Sequence, residues 1–141
     1  MIVTFCGHRE VYEHEKVKAW LESVVDELIQ QGAAQFYLGG YGQFDALAAL
    51  VVSDFKDRYK HIHSVLVLPY LDRSFFAEAY DETIYPSLEK VPKRFAISKR
   101  NEYMVDASDV VVAYVRRSYG GAYGTLQYAK RKRKRVVAYE E

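Results

Sequence analysis

The sequence has a single cysteine, Cys6, and its formal net charge is only +1 over 141 residues. One cysteine forms no disulfide bond within the chain, which excludes a disulfide-stapled secreted domain and predicts a soluble protein in the reducing cytoplasm. No apolar run is long enough to cross a bilayer, and a strand-like run already starts at Ile2. We therefore expect neither a membrane contact nor a signal peptide.

Common signatures of bound cofactors and metals are missing as well. The segment GGYGQFD at 39–45 lacks the Lys-Ser/Thr pair of a P-loop, and GGAYGT at 120–125 lacks the G-x-G-x-x-G spacing of dinucleotide-binding proteins. His61 and His63 would share one face of a strand, but no third ligand accompanies them. The sequence predicts no metal site and no resident cofactor.

What is present is enough apolar material for one domain spanning 1–141, since half of the residues are hydrophobic. Apolar runs typical of strands alternate with segments of helical spacing. We predict strands at 1–5, 35–40, 63–70, 93–98, 109–115 and 135–139, and helices at 14–31, 44–59, from Asp72 or Ser74 onward, 99–108 and 124–134. This order predicts an α/β fold, a Rossmann-like, mainly parallel sheet with helices on both faces.

The glycines point to a ligand site. Gly32 is placed to stop a helix, and the other seven fall where a predicted strand gives way to a helix; they are Gly7, Gly39, Gly40, Gly42, Gly120, Gly121 and Gly124. The carboxyl ends of parallel strands meet at one edge of the sheet, where ligands bind. Glycine there permits positive φ and close approach of an anion to backbone N–H groups. The alternative, that each glycine only makes a tight turn, stays open for any single loop.

Polar and aromatic side chains accompany these loops. Tyr70 and Arg73 follow the third predicted strand, and Lys99, Arg100 and Asn101 follow the fourth. In a parallel sheet all five would join the glycine loops at the same edge. Positive groups and aromatic faces beside phosphate-compatible backbone predict a small anionic, nucleotide-like ligand.

The first loop contains three further candidates. His8 and Arg9 either contact a phosphate or form a hydrogen-bonded structural pair, and the sequence leaves both interpretations open. Cys6 is expected to be a packed residue rather than a reactive thiol. Four tyrosines of the loops could stack on a base, namely Tyr41, Tyr70, Tyr119 and Tyr123.

Four segments together resemble a known family: TFCGHR, GGYGQFDALAA, ISKRNEYMVDASDVVVAYV and GGAYGTLQYAKRK. They are similar to the SLOG superfamily of Rossmann-like proteins, which includes the Lonely Guy phosphoribohydrolases and the DNA-processing Smf proteins, and within it to the small bacterial YpsA-like branch. The resemblance implies that the glycine loops bind a nucleotide or a nucleotide derivative, and that the chain forms a homo-oligomer. The positions that match the family's loops are Gly39, Gly40, Gly42, Asp45, Arg100, Asn101, Gly120, Gly121, Gly124 and Thr125.

One departure from the family pattern concerns catalysis. Lonely Guy enzymes carry P-G-G-x-G-T-x-x-E, whereas here an extra residue precedes Gly124 and Thr125, and Tyr128 stands at the position of the glutamate. Asp45 or Glu102 would have to replace that carboxylate. The resemblance therefore favours a nucleotide-binding sensor or regulator, with a nucleotide N-glycosidase and a Smf-like single-stranded DNA binder as alternatives.

A run of six basic residues occupies positions 130–135. It contributes +6 to the total of +1, so the rest of the chain sums to −5. If 124–134 is a helix, the run lies about 15 Å from the glycine loop, at the opposite edge of the sheet. Cations at a helix carboxyl end complement its dipole, and this is the interpretation we favour; a contact with nucleic acid, an acidic partner or a neighbouring subunit is the alternative. The residues are Lys130, Arg131, Lys132, Arg133, Lys134 and Arg135.

Overall fold

A computed structural model describes residues 1–71 and 77–140. Within these ranges the strands are β1 (Ile2–Gly7), β2 (Gln35–Leu38), β3 (His63–Val67), β4 (Glu82–Ile84), β5 (Val110–Tyr114) and β6 (Arg135–Ala138). The helices are α1 (His14–Gln30), α2 (Gln43–Lys56), α3 (Ala96–Ala107) and α4 (Gly121–Arg131). The predicted helix start at Asp72 or Ser74, together with Arg73, lies outside the described residues.

The six strands form one sheet in the order β4-β3-β2-β1-β5-β6, and every pairing is parallel. Val3 of β1 aligns with Phe36 of β2 on one side and with Val110 of β5 on the other. The chain therefore extends the sheet in one direction as far as β4 and then returns to the other side of β1. This reversal places the switch point of the topology between β1 and β5, where crevices form in such sheets.

Both faces of the sheet are covered by helices. Along β1, Val3 and Phe5 join the core under α1 and α2, whereas Cys6 joins the core under α3 and α4. Successive side chains of a strand point to opposite faces, so the apolar run of β1 serves two layers. The predicted Rossmann-like α/β fold with helices on both faces is confirmed.

One predicted element is wrong, and one strand was not predicted. Residues 93–98 do not form a strand, because Lys93–Phe95 is a 3-10 turn and α3 begins at Ala96. The fourth strand is Glu82–Ile84, in the segment after Asp72 whose end the sequence left open, where residues 83–86 break the helical pattern. This edge strand is only three residues long and pairs with β3 alone, so its own sequence carries too little periodicity to identify it.

Two contacts of Asp81, the residue that precedes β4, explain the position of this strand. The Asp81 carboxylate accepts a hydrogen bond from the Ser64 backbone N–H at 2.8 Å and forms an ion pair with Lys56. Burial by itself would raise the pKa of Asp81, but the Lys56 and Ser64 hydrogen bonds outweigh it and lower that pKa. The edge strand is thus held by a partner 17 residues away in the sequence.

Candidate functional site

A cavity of about 760 Å³ opens at the carboxyl edge of the sheet, at the switch point between β1 and β5. It is bounded by the loop after β1, by the first turns of α2 and α3, and by the loop that joins β5 to α4. Its lining includes Cys6, Gly7, His8, Arg9, Glu10, Tyr12, Tyr41, Asp45, Ile97, Arg100, Asn101, Met104, Arg116, Arg117, Gly121, Ala122 and Thr125.

The fold brings eight of the sequence-derived site residues to this lining. They are Gly7, His8, Arg9, Asp45, Arg100, Asn101, Gly121 and Thr125. Gly39, Gly40, Gly42, Gly120 and Gly124 belong to the two glycine loops but do not line the cavity. Tyr70 also lies off the lining, where its hydroxyl contacts the Lys93 carbonyl oxygen at 3.4 Å.

The glycines at the β1 and β2 ends are required by contacts inside the protein. A Cβ on Gly7 would lie 2.3 Å from the Phe44 ring, and a Cβ on Gly42 would lie 2.9 Å from Arg9 Cα. Gly42 also has φ of +92°, a conformation that favours glycine. Tight packing therefore accounts for these two positions without a ligand.

In the second loop the φ of Gly120 favours glycine, as that of Gly42 does, but Gly121 and Gly124 have no such requirement. A Cβ on Gly121 or on Gly124 would meet nothing within 4 Å. Gly120 caps α4 with φ of +93°, no side chain caps the helix, and its first turn contains no acidic residue. The amino end of α4 therefore presents backbone N–H groups and the positive end of the helix dipole beside the cavity.

Two arginines that the sequence reasoning missed stand beside this helix end. Arg116 and Arg117 follow β5, the clearest strand in the sequence, after the single residue Val115, and both line the cavity. The Arg117 guanidinium lies 4.9 Å from the centre of the exposed Tyr119 ring. Their position immediately after a buried strand was the available signal, because such residues reach the ligand edge of a parallel sheet.

His8 connects the β1 and β5 loops. It is buried, its Nε2 accepts the Arg116 backbone N–H at 2.8 Å, and its ring meets the Tyr114 ring edge to face. Burial, followed by the charges of Arg117 and Arg116, lowers the pKa of His8. The imidazole is therefore neutral at physiological pH, and this hydrogen bond gives it a structural function. Arg9, in the same loop, lies with its guanidinium 5.1 Å from the centre of the Tyr41 ring.

Arg100 is almost completely buried, with 2% of its surface exposed. Its Nη1 donates to the carbonyl oxygens of Gly39 at 2.9 Å and Val67 at 2.8 Å, and its Nε donates to Asn101 Oδ1 at 2.9 Å. One side chain of α3 thereby joins the ends of β2 and β3. A Cβ on Gly39 would lie 3.0 Å from the guanidinium carbon, which leaves little room for a larger residue there.

Asp45, in the first turn of α2, faces the same cavity. Its Oδ2 accepts the Tyr41 backbone N–H at 3.2 Å. Burial raises the pKa of Asp45 to about 6, against the opposing effects of the Tyr41 hydrogen bond and the Arg100 charge. The carboxylate is thus largely ionised at neutral pH and is able to exchange a proton close to that pH.

Glu102 is the other carboxylate that could replace the glutamate of the Lonely Guy pattern, but it does not face the cavity. It pairs with Lys99 at 3.3 Å and does not line the cavity. Tyr128, at the position of the family's glutamate, donates its hydroxyl to the Asp106 carboxylate at 2.8 Å, and its pKa is raised to about 12, first by burial and then by Asp106. The pKa of Cys6 is also raised to about 12 by burial, so this cysteine is a packed residue.

The basic run lies away from the cavity. Because β6 is parallel to β5 and Arg135 aligns with Val110, the first residue of β5, the run lies at the amino edge of the sheet. Lys134 Nζ donates to the Asp106 carbonyl oxygen at 3.2 Å, and Arg135 Nη1 donates to Gln31 Oε1 at 2.6 Å. The predicted separation of the glycine loop from the basic run is confirmed.

The part of the chain that the structure describes contains no cluster of three or more His, Cys, Asp or Glu side chains able to hold a metal ion. No helix within 1–71 and 77–140 has the length and apolar character needed to cross a membrane.

The sheet order, the two helical layers and the cavity at the switch point define a Rossmann-like α/β protein. No protein-family model matches the chain. A curated relative, the uncharacterized SPbeta prophage-derived protein YoqJ of Bacillus subtilis (strain 168), is 27% identical over 82% of this chain and 81% of its own length.

Two solved structures share the fold. One is DNA processing protein A from Helicobacter pylori, described for its single-stranded DNA binding mode; it has a TM-score of 0.70 and 17% identity, and this chain matches over its full length but spans 66% of that protein. The other, TM1055, has a TM-score of 0.64 and 16% identity over 96% of this chain and 71% of its own. These two likenesses show that the Rossmann-like fold is shared. Membership of the SLOG superfamily and of its YpsA-like branch stays a prediction.

Proposed function

We propose that the cavity binds a nucleotide or nucleotide derivative and that the chain acts as a sensor or regulator of that ligand. The observation that carries this proposal is the difference between the two glycine loops. Internal packing accounts for Gly7 and Gly42, whereas the space beside Gly121 is empty and faces the cavity. A glycine without an internal reason, at an uncapped helix end beside two arginines, is typical of an anion site.

The parts of a nucleotide fit different parts of the cavity. A phosphate would lie at the amino end of α4, where Arg117 adds a charged donor. The exposed rings of Tyr12 and Tyr41 stand at the cavity mouth and would cover the base. A cavity of about 760 Å³ falls within the range of small-molecule sites, so it accommodates such a ligand.

Thermal-shift screening tests this proposal. Purified protein would be mixed with nucleoside mono-, di- and triphosphates, ADP-ribose and cyclic nucleotides, and free base would be measured in every mixture. We expect a saturable increase in melting temperature with at least one nucleotide, because a ligand that binds the native state stabilises it. The control is Arg117→Ala, which should reduce the shift. No shift with any nucleotide would contradict the proposal.

Release of base in the same mixtures would support the glycosidase alternative. Asp45 supports this alternative, because its carboxyl faces the cavity and its pKa of about 6 suits a general acid or base. In that case Asp45→Asn should abolish release, whereas Glu102→Gln should not. A thermal shift without base release would leave the protein a binding module.

Single-stranded DNA is the second alternative, and the cavity mouth favours it more than the basic run does. Arg9 and Arg117 line the cavity, and each lies over an exposed ring, that of Tyr41 and that of Tyr119 respectively. Stacked bases and neighbouring phosphates are bound by such pairs. By contrast, Lys134 and Arg135 already hydrogen-bond within the protein.

A further inference from the structure

We propose that Asp45 determines which nucleotides the cavity binds. A nucleotide whose single phosphate lies at α4 would place free sugar hydroxyl groups at Asp45 and would bind, whereas a nucleotide with a second phosphate at Asp45 would be rejected. This inference rests on the proposed nucleotide binding and adds the class of ligand, a nucleotide with one phosphate end and an unphosphorylated sugar diol. It assigns Asp45 as the residue that determines specificity.

The two helices that begin at the cavity differ in what they present to it. The first turn of α4 contains no acidic residue and no side-chain cap. The first turn of α2 contains Asp45, and its first N–H, that of Gln43, donates to the Arg9 carbonyl oxygen at 2.8 Å. The amino end of α4 is therefore available to an anion. At α2, the Arg9 carbonyl oxygen already accepts the first N–H, and the carboxylate of Asp45 in the first turn disfavours an anion.

The hydrogen bonds around Asp45 determine which chemical groups of a ligand can bind beside it. Its Oδ2 holds the Tyr41 N–H, and the carboxyl lines the cavity, so the cavity meets an acceptor at this point. Arg100 stands next to it, and its Nη1 and Nε donate to the Gly39 and Val67 carbonyl oxygens and to Asn101 Oδ1. A phosphate dianion needs donors, whereas a sugar diol supplies them.

Asp45 is largely ionised at neutral pH, because its pKa is about 6, and its negative charge disfavours a second phosphate. Among the described residues, Cys6 of β1, Tyr80 of the segment before β4 and Arg100 of α3 interact electrostatically with Asp45. Of these only Arg100 is charged at neutral pH, and it favours the ionised form of Asp45. In dinucleotide-binding folds an acidic residue likewise accepts a ribose hydroxyl and disfavours a 2′-phosphate.

Titration calorimetry with matched ligand pairs tests the inference. The probes are the 5′-monophosphates of adenosine and guanosine and the 3′,5′-bisphosphates of the same nucleosides. For the wild-type protein we expect at least about tenfold tighter binding of a monophosphate than of its bisphosphate, a difference of about 1.4 kcal/mol. In Asp45→Asn, which keeps the shape and an acceptor for Tyr41, the two affinities should differ by less than about threefold.

The matched control is Glu102→Gln, which removes one negative charge from α3 outside the cavity and should keep the wild-type ratio. Asp45→Ser provides a second neutral variant if Asp45→Asn does not fold. Equal wild-type affinities for a monophosphate and its bisphosphate, or a ratio unchanged in both Asp45 variants, would overturn the inference while leaving nucleotide binding intact. Absence of binding by all four probes would instead count against the proposed function, and the inference would fall with it.

Discussion

Arg100 illustrates how a single residue combines structural and ligand-related roles. Sequence reasoning assigned it to phosphate or ribose because it carries a positive charge near a strand end. Arg100 does line the cavity, but its Nη1 and Nε donate to the ends of β2 and β3 and to Asn101. A contact with the ligand remains a proposal, whereas the structural contacts are present without one.

Substitution of Arg100 by Ala should therefore lower stability as well as ligand affinity. Two buried carbonyl oxygens, those of Gly39 and Val67, would lose their side-chain donor, and each such loss costs about 1–3 kcal/mol. We expect the free energy of unfolding, measured with urea, to fall by about 2–4 kcal/mol. Lys99→Ala, at an exposed neighbour, should change it by less than about 0.5 kcal/mol. A stable Arg100→Ala protein would show that these hydrogen bonds contribute little.

At the scale of the secondary structure elements, α4 begins differently from α2. The start of α2 is closed by Gly42, which packs against Arg9 Cα, and by the carboxylate of Asp45. The start of α4 has unfilled space around Gly121 and Gly124, and only Gly121 lines the cavity. Substitutions at the start of α4 can therefore change ligand binding without lowering protein stability.

Alanine substitutions of three glycines should separate the two effects. Gly124→Ala should raise the free energy of unfolding by about 0.5–1 kcal/mol, because glycine is unfavourable inside a helix and the methyl group fits. Gly121→Ala should leave stability unchanged or slightly higher but weaken nucleotide binding several-fold, because its methyl group faces the cavity. Binding would be followed by calorimetry.

Gly7→Ala is the steric contrast. Its methyl group would lie 2.3 Å from the Phe44 ring, so we expect a loss of about 1–3 kcal/mol or more. If Gly121→Ala were the destabilising variant and bound nucleotide normally, the assignment of the anion site to α4 would be wrong.

At the scale of the whole molecule, the parallel sheet separates two positively charged regions. Arg116 and Arg117 lie at the carboxyl edge with the cavity, and the run at 130–135 lies at the amino edge. A strand of nucleic acid bound at one region would not need the other. The two regions are therefore open to independent tests.

Fluorescence anisotropy with a labelled single-stranded oligothymidine distinguishes the two regions. If the cavity mouth binds single strands, Arg117→Ala should weaken binding several-fold and reduce the salt slope by about 0.7, the value for one phosphate contact with a single strand. Lys132→Ala should have little effect. The reverse result would assign nucleic-acid binding to the basic run, and binding too weak to measure, or unaffected by salt, would exclude this alternative.

The sequence by itself determined the architecture, because β1, β5 and the four helices are specified by local periodicity over five or more residues. It also determined the edge at which the glycine loops meet, since parallel strands share their carboxyl ends. It did not identify β4, which depends on pairing with β3 and on Asp81 contacting Ser64.

Only the tertiary structure decided which loop residues are already engaged inside the protein. Gly7 meets Phe44, Arg100 contacts Gly39 and Val67, and the space beside Gly121 is empty. All of these facts depend on distances between residues that are far apart in the sequence, and periodicity and spacing carry no information about such distances.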